Sequence, residues 1–136
     1  MKKRTGNNKG LLSIRITCNN KMSVVFQPVS GTVWMDRNEL CELFGCYMQD
    51  IDLCIKELFE KNMLKVEETC KYHIIAGSRR VSYDITEVNL VVIITMAFRL
   101  DTPESRTLRM WFVEQIAKIK SLDAMLVDVS QNAWWN

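Results

Sequence analysis

The sequence predicts an α+β domain that resembles a winged helix-turn-helix, with an N-terminal β-hairpin and C-terminal helices. Three observations predict it. Residues 12–26 and 71–85 alternate apolar and polar side chains with the period of two that is typical of β-hairpins. Residues 36–61 hold two short amphipathic helical segments that are separated by Gly45. Residues 90–119 place apolar side chains at helical spacing.

The length and composition indicate one folded domain. The chain has 136 residues, of which 48% are hydrophobic and 25% charged, which is typical of a globular domain and excludes a disordered chain. A second domain that could close a cleft is not expected at this length. We therefore predict a mobile basic arm over residues 1–10 and a single domain over residues 11–136.

The cysteine count and the apolar runs predict the cellular setting. Five cysteines are an odd number, and the polar sequence after Arg4 lacks the features of a secretion signal. Both features favour reduced thiols and a cytoplasmic protein. The longest apolar run, residues 90–100, is shorter than the ~20 residues that a membrane-spanning helix needs, so no membrane association is expected.

The β elements are expected at both ends of the helical pair. In the first hairpin, Asn19, Asn20 and Lys21 supply the turn chemistry. Residues 32–35 predict a short third strand. In the second hairpin, the turn is expected at residues 76–78.

The helices are predicted from their start and stop signals. Asp36 and Glu39 form a capping-box pattern, and Gly45 ends the helix that they begin. A second helix is expected over residues 48–61, with Asn62 as a left-handed terminator.

Two further helices are expected in the C-terminal third. Thr86 is the predicted cap of a helix over residues 90–100, which is apolar nearly all round and should be central to the core. Pro103 and Glu104 begin the last helix. We expect Trp111 of that helix to lie in the core, between the two helices.

Residues 37–56 match the pattern of a helix-turn-helix. The pattern requires apolar residues where the helices pack, a small residue where they approach, and glycine for the left-handed turn. The matching residues are Leu40, Phe44, Cys46, Ile51 and Cys54, then Cys41, then Gly45. Any two amphipathic helices joined at a glycine would be an alternative explanation.

Three segments carry a resemblance to a known family. They are Val33–Gly45 (VWMDRNELCELFG), Asn89–Leu100 (NLVVIITMAFRL) and Arg109–Trp111 (RMW). These segments resemble the TVWLTQ-x-x-x-AELFG, NLD-x-II-x-x-GYRV and R-x-W motifs of the RhuM family. The resemblance covers roughly residues 11–118 and matches the family's amino-terminal module. It implies a DNA-binding protein of prophages, mobile elements or virulence islands, similar in organisation to phage antirepressor modules.

The charges are distributed unevenly. Residues 1–35 carry six basic side chains and no acidic one, whereas residues 36–60 carry two basic and seven acidic side chains. Since affinity for DNA comes mainly from neutralised phosphates, the contacts must come largely from the arm and the hairpin turn, with Gln49 available for adenine. The predicted DNA-binding residues are Lys2, Lys3, Arg4, Lys9, Gln49, Lys56, Arg79, Arg80, Arg106 and Arg109.

A protein-interaction adapter or regulator on an acidic helix-turn-helix is the alternative function. Tyr47, Met48 and Leu53 of the second helix suit a groove on a basic protein partner better than they suit DNA. Trp134 and Trp135 are costly to expose, so we expect them to pack on the core, on a twin subunit or on a partner. A homodimer is compatible with either function.

The sequence offers no recognisable catalytic set. His73 is the only histidine, and neither a phosphate-binding glycine loop nor a metal-ligand spacing is present. Cys41, Cys46 and Cys54 fall on core positions of the helix pair, so buried thiols are favoured over a zinc site. We predict no enzymatic activity, no cofactor and no metal.

Overall fold

The computed structural model describes the backbone of residues 8–77 and 81–135, and the side chains of residues 8–77 and 82–119. It is an α+β fold with two separate antiparallel hairpins and five helices. In chain order the elements are β1 (Leu11–Ile16), β2 (Met22–Gln27), α1 (Arg37–Phe44), α2 (Met48–Glu60), α3 (Val66–Thr69), β3 (Cys70–Ala76), β4 (Val81–Val88), α4 (Leu90–Ala97) and α5 (Pro103–Trp135).

The first hairpin forms as predicted, but the third strand does not. Strands β1 and β2 pair in register from Leu11 opposite Gln27, and Asn20 takes a left-handed conformation in the turn, with φ of 61°. The prediction of a strand over residues 32–35 is wrong. Only isolated bridges occur there: Thr32 pairs with Val29, and Met35 exchanges backbone hydrogen bonds of 3.0 and 2.9 Å with Val88 of β4. The pairing stops there because Asp36 already begins the next helix.

The helix pair begins and turns as its signals predict. The Asp36 carboxylate accepts from the Glu39 backbone N–H at 2.9 Å, and the Glu39 carboxylate accepts from the Asp36 N–H at 2.9 Å. Gly45 ends α1 in the left-handed region at φ 63°, and its N–H donates to the Cys41 carbonyl. Asn62 follows α2 with φ of 58°.

Substituting Gly45 tests the turn. A Cβ there would need left-handed backbone and would lie 2.6 Å from the Glu104 Cδ atom in α5. We expect Gly45→Ala to lower the free energy of unfolding by ~1 kcal/mol or more in denaturant titration. Gly31→Ala is the control. Its backbone is also left-handed, with φ of 79°, but nothing lies within 4 Å of the added Cβ, so it measures the backbone strain without the contact to Glu104. An unchanged stability of Gly45→Ala would contradict the turn assignment.

The second hairpin and its neighbours correct two details. The short helix α3 precedes β3 and was not predicted, and β3 pairs with β4 with a register shift between Lys71 and Tyr72. Thr86 does not cap a helix: it lies within β4, and its hydroxyl donates to the Lys71 carbonyl at 3.0 Å. The cap of α4 is Asn89, whose side-chain oxygen accepts from two backbone N–H groups of the first turn.

The core lies where α1, α2 and α4 meet the start of α5. Helix α4 is central, as its composition predicts, and α5 begins where the Thr102 hydroxyl accepts from the Ser105 N–H at 3.0 Å. The most deeply buried apolar side chains are Leu12, Val33, Leu40, Phe44, Ile51, Leu58, Val88, Val92, Ile93, Met96, Ala97 and Leu108. In the part of the chain that the structure describes, no helix has both the length and the apolar character to cross a bilayer.

Trp111 does not lie where the sequence predicts. Its indole is half-buried and packs edge-on against Phe26 of β2, at 5.2 Å between ring centroids, and against Phe112, at 5.1 Å. Among the side chains of α5 that the structure describes, the buried apolar ones are Leu108 and Phe112, which lie one turn apart on the same face. Trp111 is one residue away from that face, so it anchors the first hairpin to α5.

Candidate nucleic-acid interface

A groove of about 490 Å³ runs between α2 and the second hairpin. One wall is the outer face of α2 and the other is β4. Its lining residues are Arg37, Asp52, Ile55, Lys56, Phe59, Glu60, Val66, Ser82, Tyr83 and Ile85. In a helix-turn-helix the second helix contacts the major groove of a duplex, and α2 is the second helix of the predicted motif.

Several tertiary links fix the hairpin against the helix pair, and two of them involve Met35 and Arg37. The Met35–Val88 bridge ties the residue before α1 to the end of β4. Arg37 connects three elements: its Nη1 donates to the Ile85 carbonyl in β4, and its Nε lies 2.6 Å from the Asp52 carboxylate in α2. The walls of the groove are therefore held by backbone pairing and by one shared guanidinium.

The predicted contact residues of α2 share an exposed face. Gln49 and Lys56 are two turns apart and both are exposed. Lys56 lines the groove, with its ammonium 4.0 Å from Glu60 one turn on. Tyr47 and Leu53 of the alternative, protein-binding surface are 77% and 56% exposed. Both sets of side chains are therefore available to a partner.

Lys9, which lies in the arm predicted over residues 1–10, is bound within the domain, whereas residues 1–7 lie outside the described part of the chain. Its ammonium lies 2.7 Å from carboxylate oxygens of both Glu39 and Glu87, and its carbonyl accepts from the Trp34 N–H. Burial alone lowers the pKa of Lys9, but bonds to Glu39 and Glu87 raise that pKa more, so it lies above its usual value. Lys9 therefore joins α1 to β4 and is not free to contact phosphate.

The ion pair between Lys9 and Glu87 makes the stability of the domain depend on pH. Burial raises the pKa of Glu87, but hydrogen bonds from Lys9 and Lys71 lower that pKa more, so it lies below its usual value. A depressed carboxylate pKa adds stability above the unfolded-state pKa of about 4.3, and this stability is lost as the pH falls through the folded-state value.

Glu87→Gln should therefore reduce stability at pH 7 and flatten its decline in acid. We expect the free energy of unfolding of this variant to fall less steeply than that of the parent between about pH 5 and pH 3. Denaturant titration across that range measures it. Glu42→Gln, at an exposed position of α1, is the control, and equal pH dependence of the two variants would contradict the link.

The two predicted arginines of α5 differ in their surroundings. Arg109 Nη1 donates to the carbonyls of Ala97 and Leu100, at 2.7 and 2.8 Å, so it satisfies the end of α4. Arg106 is exposed and lies 3.9 Å from Asp101. Neither lines the groove.

Several predicted residues lie outside what the structure describes. Arg79 and Arg80 fall between β3 and β4, and Lys2, Lys3 and Arg4 precede the first described residue. For Trp134 and Trp135 only the helical backbone of α5 is described. Their predicted contacts stay predictions.

The acidic residues of the helix pair do not form one uncompensated face. Glu57 lies 2.9 Å from Arg99, which follows α4, just as Glu39 is paired with Lys9 and Asp52 with Arg37. Two of these cations come from outside residues 36–60. Sequence analysis missed the roles of Arg37 and Arg99 because their partners lie 15 and 42 residues away, and no local pattern links them.

The cysteines of the helix pair are buried or half-buried, whereas the histidine lies at the surface. Cys54 is buried and Cys41 and Cys46 are half-buried; burial raises the pKa of Cys46 to about 11, so it is protonated at neutral pH. His73 is exposed on β3. Across residues 8–77 and 82–119, no cluster of three potential metal ligands occurs.

No family model, no curated protein and no solved structure matches this chain. The resemblance to the RhuM family therefore stays a prediction.

Proposed function

We propose that the protein binds double-stranded DNA without catalysing a reaction, as a winged helix-turn-helix. Helix α2 would enter the major groove, and the hairpin β3–β4 would contact the backbone as a wing. The observation that carries the proposal is the groove whose walls are α2 and β4, held in place by Arg37 and the Met35–Val88 bridge. The resemblance to the RhuM family supports the same function.

The side chains on α2 have the chemistry that this geometry needs. Gln49 suits bidentate hydrogen bonding to adenine, and Lys56 suits a phosphate. Within the groove, Arg37 and Lys56 are balanced by Asp52 and Glu60, so the groove is locally neutral and adds little attraction. The remaining phosphate contacts are assigned to Lys2, Lys3, Arg4, Arg79, Arg80 and Arg106. Lys9 and Arg109 are omitted because their donors already bind within the domain.

The test compares two lysines of equal charge. Lys56→Ala should lower affinity for a random-sequence duplex and reduce the slope of log K against log salt by about 1. Lys21→Ala, in the turn between β1 and β2, should change neither. Fluorescence anisotropy with a labelled duplex at several salt concentrations measures both. Equal effects of the two substitutions would contradict the assignment of α2.

A protein-interaction adapter is the second candidate, because α2 and its N-cap residue Tyr47 expose three large apolar side chains. Tyr47, Met48 and Leu53 are 77%, 38% and 56% exposed, and such patches often mark protein contacts. Apolar side chains also contact thymine methyl groups, so the patch fits either function. The adapter hypothesis predicts no duplex binding even at low salt.

Asp50→Lys separates the two candidates. Asp50 accepts only a long 3.4 Å hydrogen bond from the Tyr47 N–H, whereas Asp52 is paired with Arg37. Reversing Asp50 replaces an acidic residue in the first turn of α2 at a cost of about 1–2 kcal/mol, so the variant should remain folded while the charge of the exposed face changes. DNA binding predicts higher non-specific affinity for this variant. An adapter predicts that neither the parent nor the variant binds duplex.

A further inference from the structure

The last helix is much longer than the segment of it that is buried against the core. Helix α5 has 33 residues, about 50 Å. Its first turns pack on α4, α1 and β2. Leu108 and Phe112 are 0% and 4% exposed there, whereas Ile116 and Ile119, only one and two turns on, are 52% and 59% exposed. The helix therefore leaves the core near residue 113 and continues beyond it.

The apolar spacing of the buried face continues past the core. From Leu108 and Phe112 the 3–4 repeat runs on through Gln115 to Ile119, and the sequence extends it at Leu122, Leu126, Val129 and Ala133. Alternating steps of three and four residues define the a and d positions of a coiled coil. Ala117, by contrast, falls at position f, on the opposite side of the helix.

A helix of this kind needs a covering partner. Most of the stability of a helix in a protein comes from packing of its apolar face rather than from intrinsic propensity, and an apolar stripe at a/d spacing is stabilised when a second helix buries it. The stripe is self-complementary: two antiparallel copies can pair Ile119 with Val129 and Leu122 with Leu126, so that apolar residues fill each of these layers.

The position of the domain core favours an antiparallel orientation of the two paired α5 helices. Leu108 and Phe112 use the same stripe to contact their own core, so that core occupies the place that the N-terminal half of a parallel partner helix would need. An antiparallel partner avoids it, because its own domain lies at the opposite end of the pair. The helical segment 115–133, which carries the rest of the stripe, is about 27 Å long.

We propose that the protein self-associates through an antiparallel coiled coil formed by residues 115–133 of α5 from two copies of the chain. This inference does not depend on DNA binding. The dimer would carry its two domains at opposite ends of the coiled coil.

Sedimentation equilibrium of the full chain over a concentration series tests the dimer. The parent should reach twice the monomer mass. Ile119→Asp and Leu126→Asp should each raise the dimer dissociation constant about a hundredfold or more, because a carboxylate would enter the apolar stripe. Ala117→Asp is the matched control and should remain dimeric, with circular dichroism confirming that each variant is folded. A parent that is monomeric throughout, or a dimer that is indifferent to Ile119→Asp and Leu126→Asp, would overturn the proposal.

Disulfide trapping tests the orientation. All five native cysteines precede α5 and Cys18 is the exposed one, so Cys18→Ser provides the background. Gln115→Cys combined with Ala133→Cys should cross-link two copies under mild oxidation, whereas Ala133→Cys alone should not. Efficient cross-linking of Ala133→Cys alone would indicate a parallel pair and contradict the antiparallel arrangement.

Discussion

Phe44→Ala is expected to lower the free energy of unfolding by about 3–5 kcal/mol, the usual cost of truncating a buried phenylalanine. The Phe44 side chain is 0% exposed and lies at the end of α1, where the helix pair meets the core. Its carbonyl also accepts from the Thr102 hydroxyl at 2.7 Å, which ties the turn to the start of α5. A loss of this size is a large part of the ~5–15 kcal/mol that stabilises most domains.

Phe98→Ala provides the matched control for this substitution. Phe98 follows α4 and is 52% exposed, so its removal should cost less than about 1 kcal/mol. Denaturant titration of both variants measures the difference. Similar losses would show that the helix pair does not depend on Phe44 as this packing requires.

Removing the basic residues of the arm and wing is expected to have the largest effect on DNA affinity. A chain without residues 1–7 that also carries Arg79→Ala and Arg80→Ala loses five cations. Its slope of log K against log salt should fall by about 4–5, and its affinity for duplex by about two orders of magnitude or more. Truncation stops before Lys9, because that residue pairs with Glu39 and Glu87.

The arginine pair has a charge-matched control on the other hairpin. Arg15 and Lys21 are exposed residues of the β1–β2 hairpin, so Arg15→Ala with Lys21→Ala removes two cations outside the proposed interface. This double variant should bind as the parent does, while Arg79→Ala with Arg80→Ala should not. Equal losses would indicate attraction by overall charge rather than contact through the wing.

The sequence predicts the helix pair well because its signals are local. Asp36 and Glu39 are three residues apart and satisfy each other's backbone N–H groups, and Gly45 and Asn62 supply left-handed conformations where helices end. Each signal depends on a few neighbouring residues, so it can be recognised without knowledge of the fold. The same applies to the alternation of the two hairpins.

Links between distant residues could not be predicted in this way. Three such links form only when the chain folds. Lys9 pairs with Glu87, and Arg37 binds Asp52 and the Ile85 carbonyl. Arg109 donates to carbonyls at the end of α4. Nothing in the local sequence separates these structural cations from free surface charges. Two residues assigned to DNA, Lys9 and Arg109, therefore have partners within the domain.

At Trp111 and Thr86 the sequence pattern alone does not identify the correct core position or the correct helix cap. An apolar residue next to Phe112 fits the helical pattern nearly as well as Phe112 does, so periodicity alone does not say which of the two faces the core. Thr86 and Asn89 both belong to residue types that cap helices well. Because β4 continues to Val88, Thr86 lies within the strand and Asn89 is the residue that caps α4. Tertiary pairing with Met35 fixes where that strand ends.

Duplex binding by the intact protein, measured as a function of salt, tests the central claim most directly. A labelled random-sequence duplex is titrated with the full chain between about 20 and 200 mM salt, using fluorescence anisotropy. The proposed winged helix-turn-helix predicts tight binding at the lowest salt and a steep linear decrease of log K with log salt, with a slope that reports several phosphate contacts. Absence of binding at the lowest salt, or an affinity that does not change with salt, would contradict it.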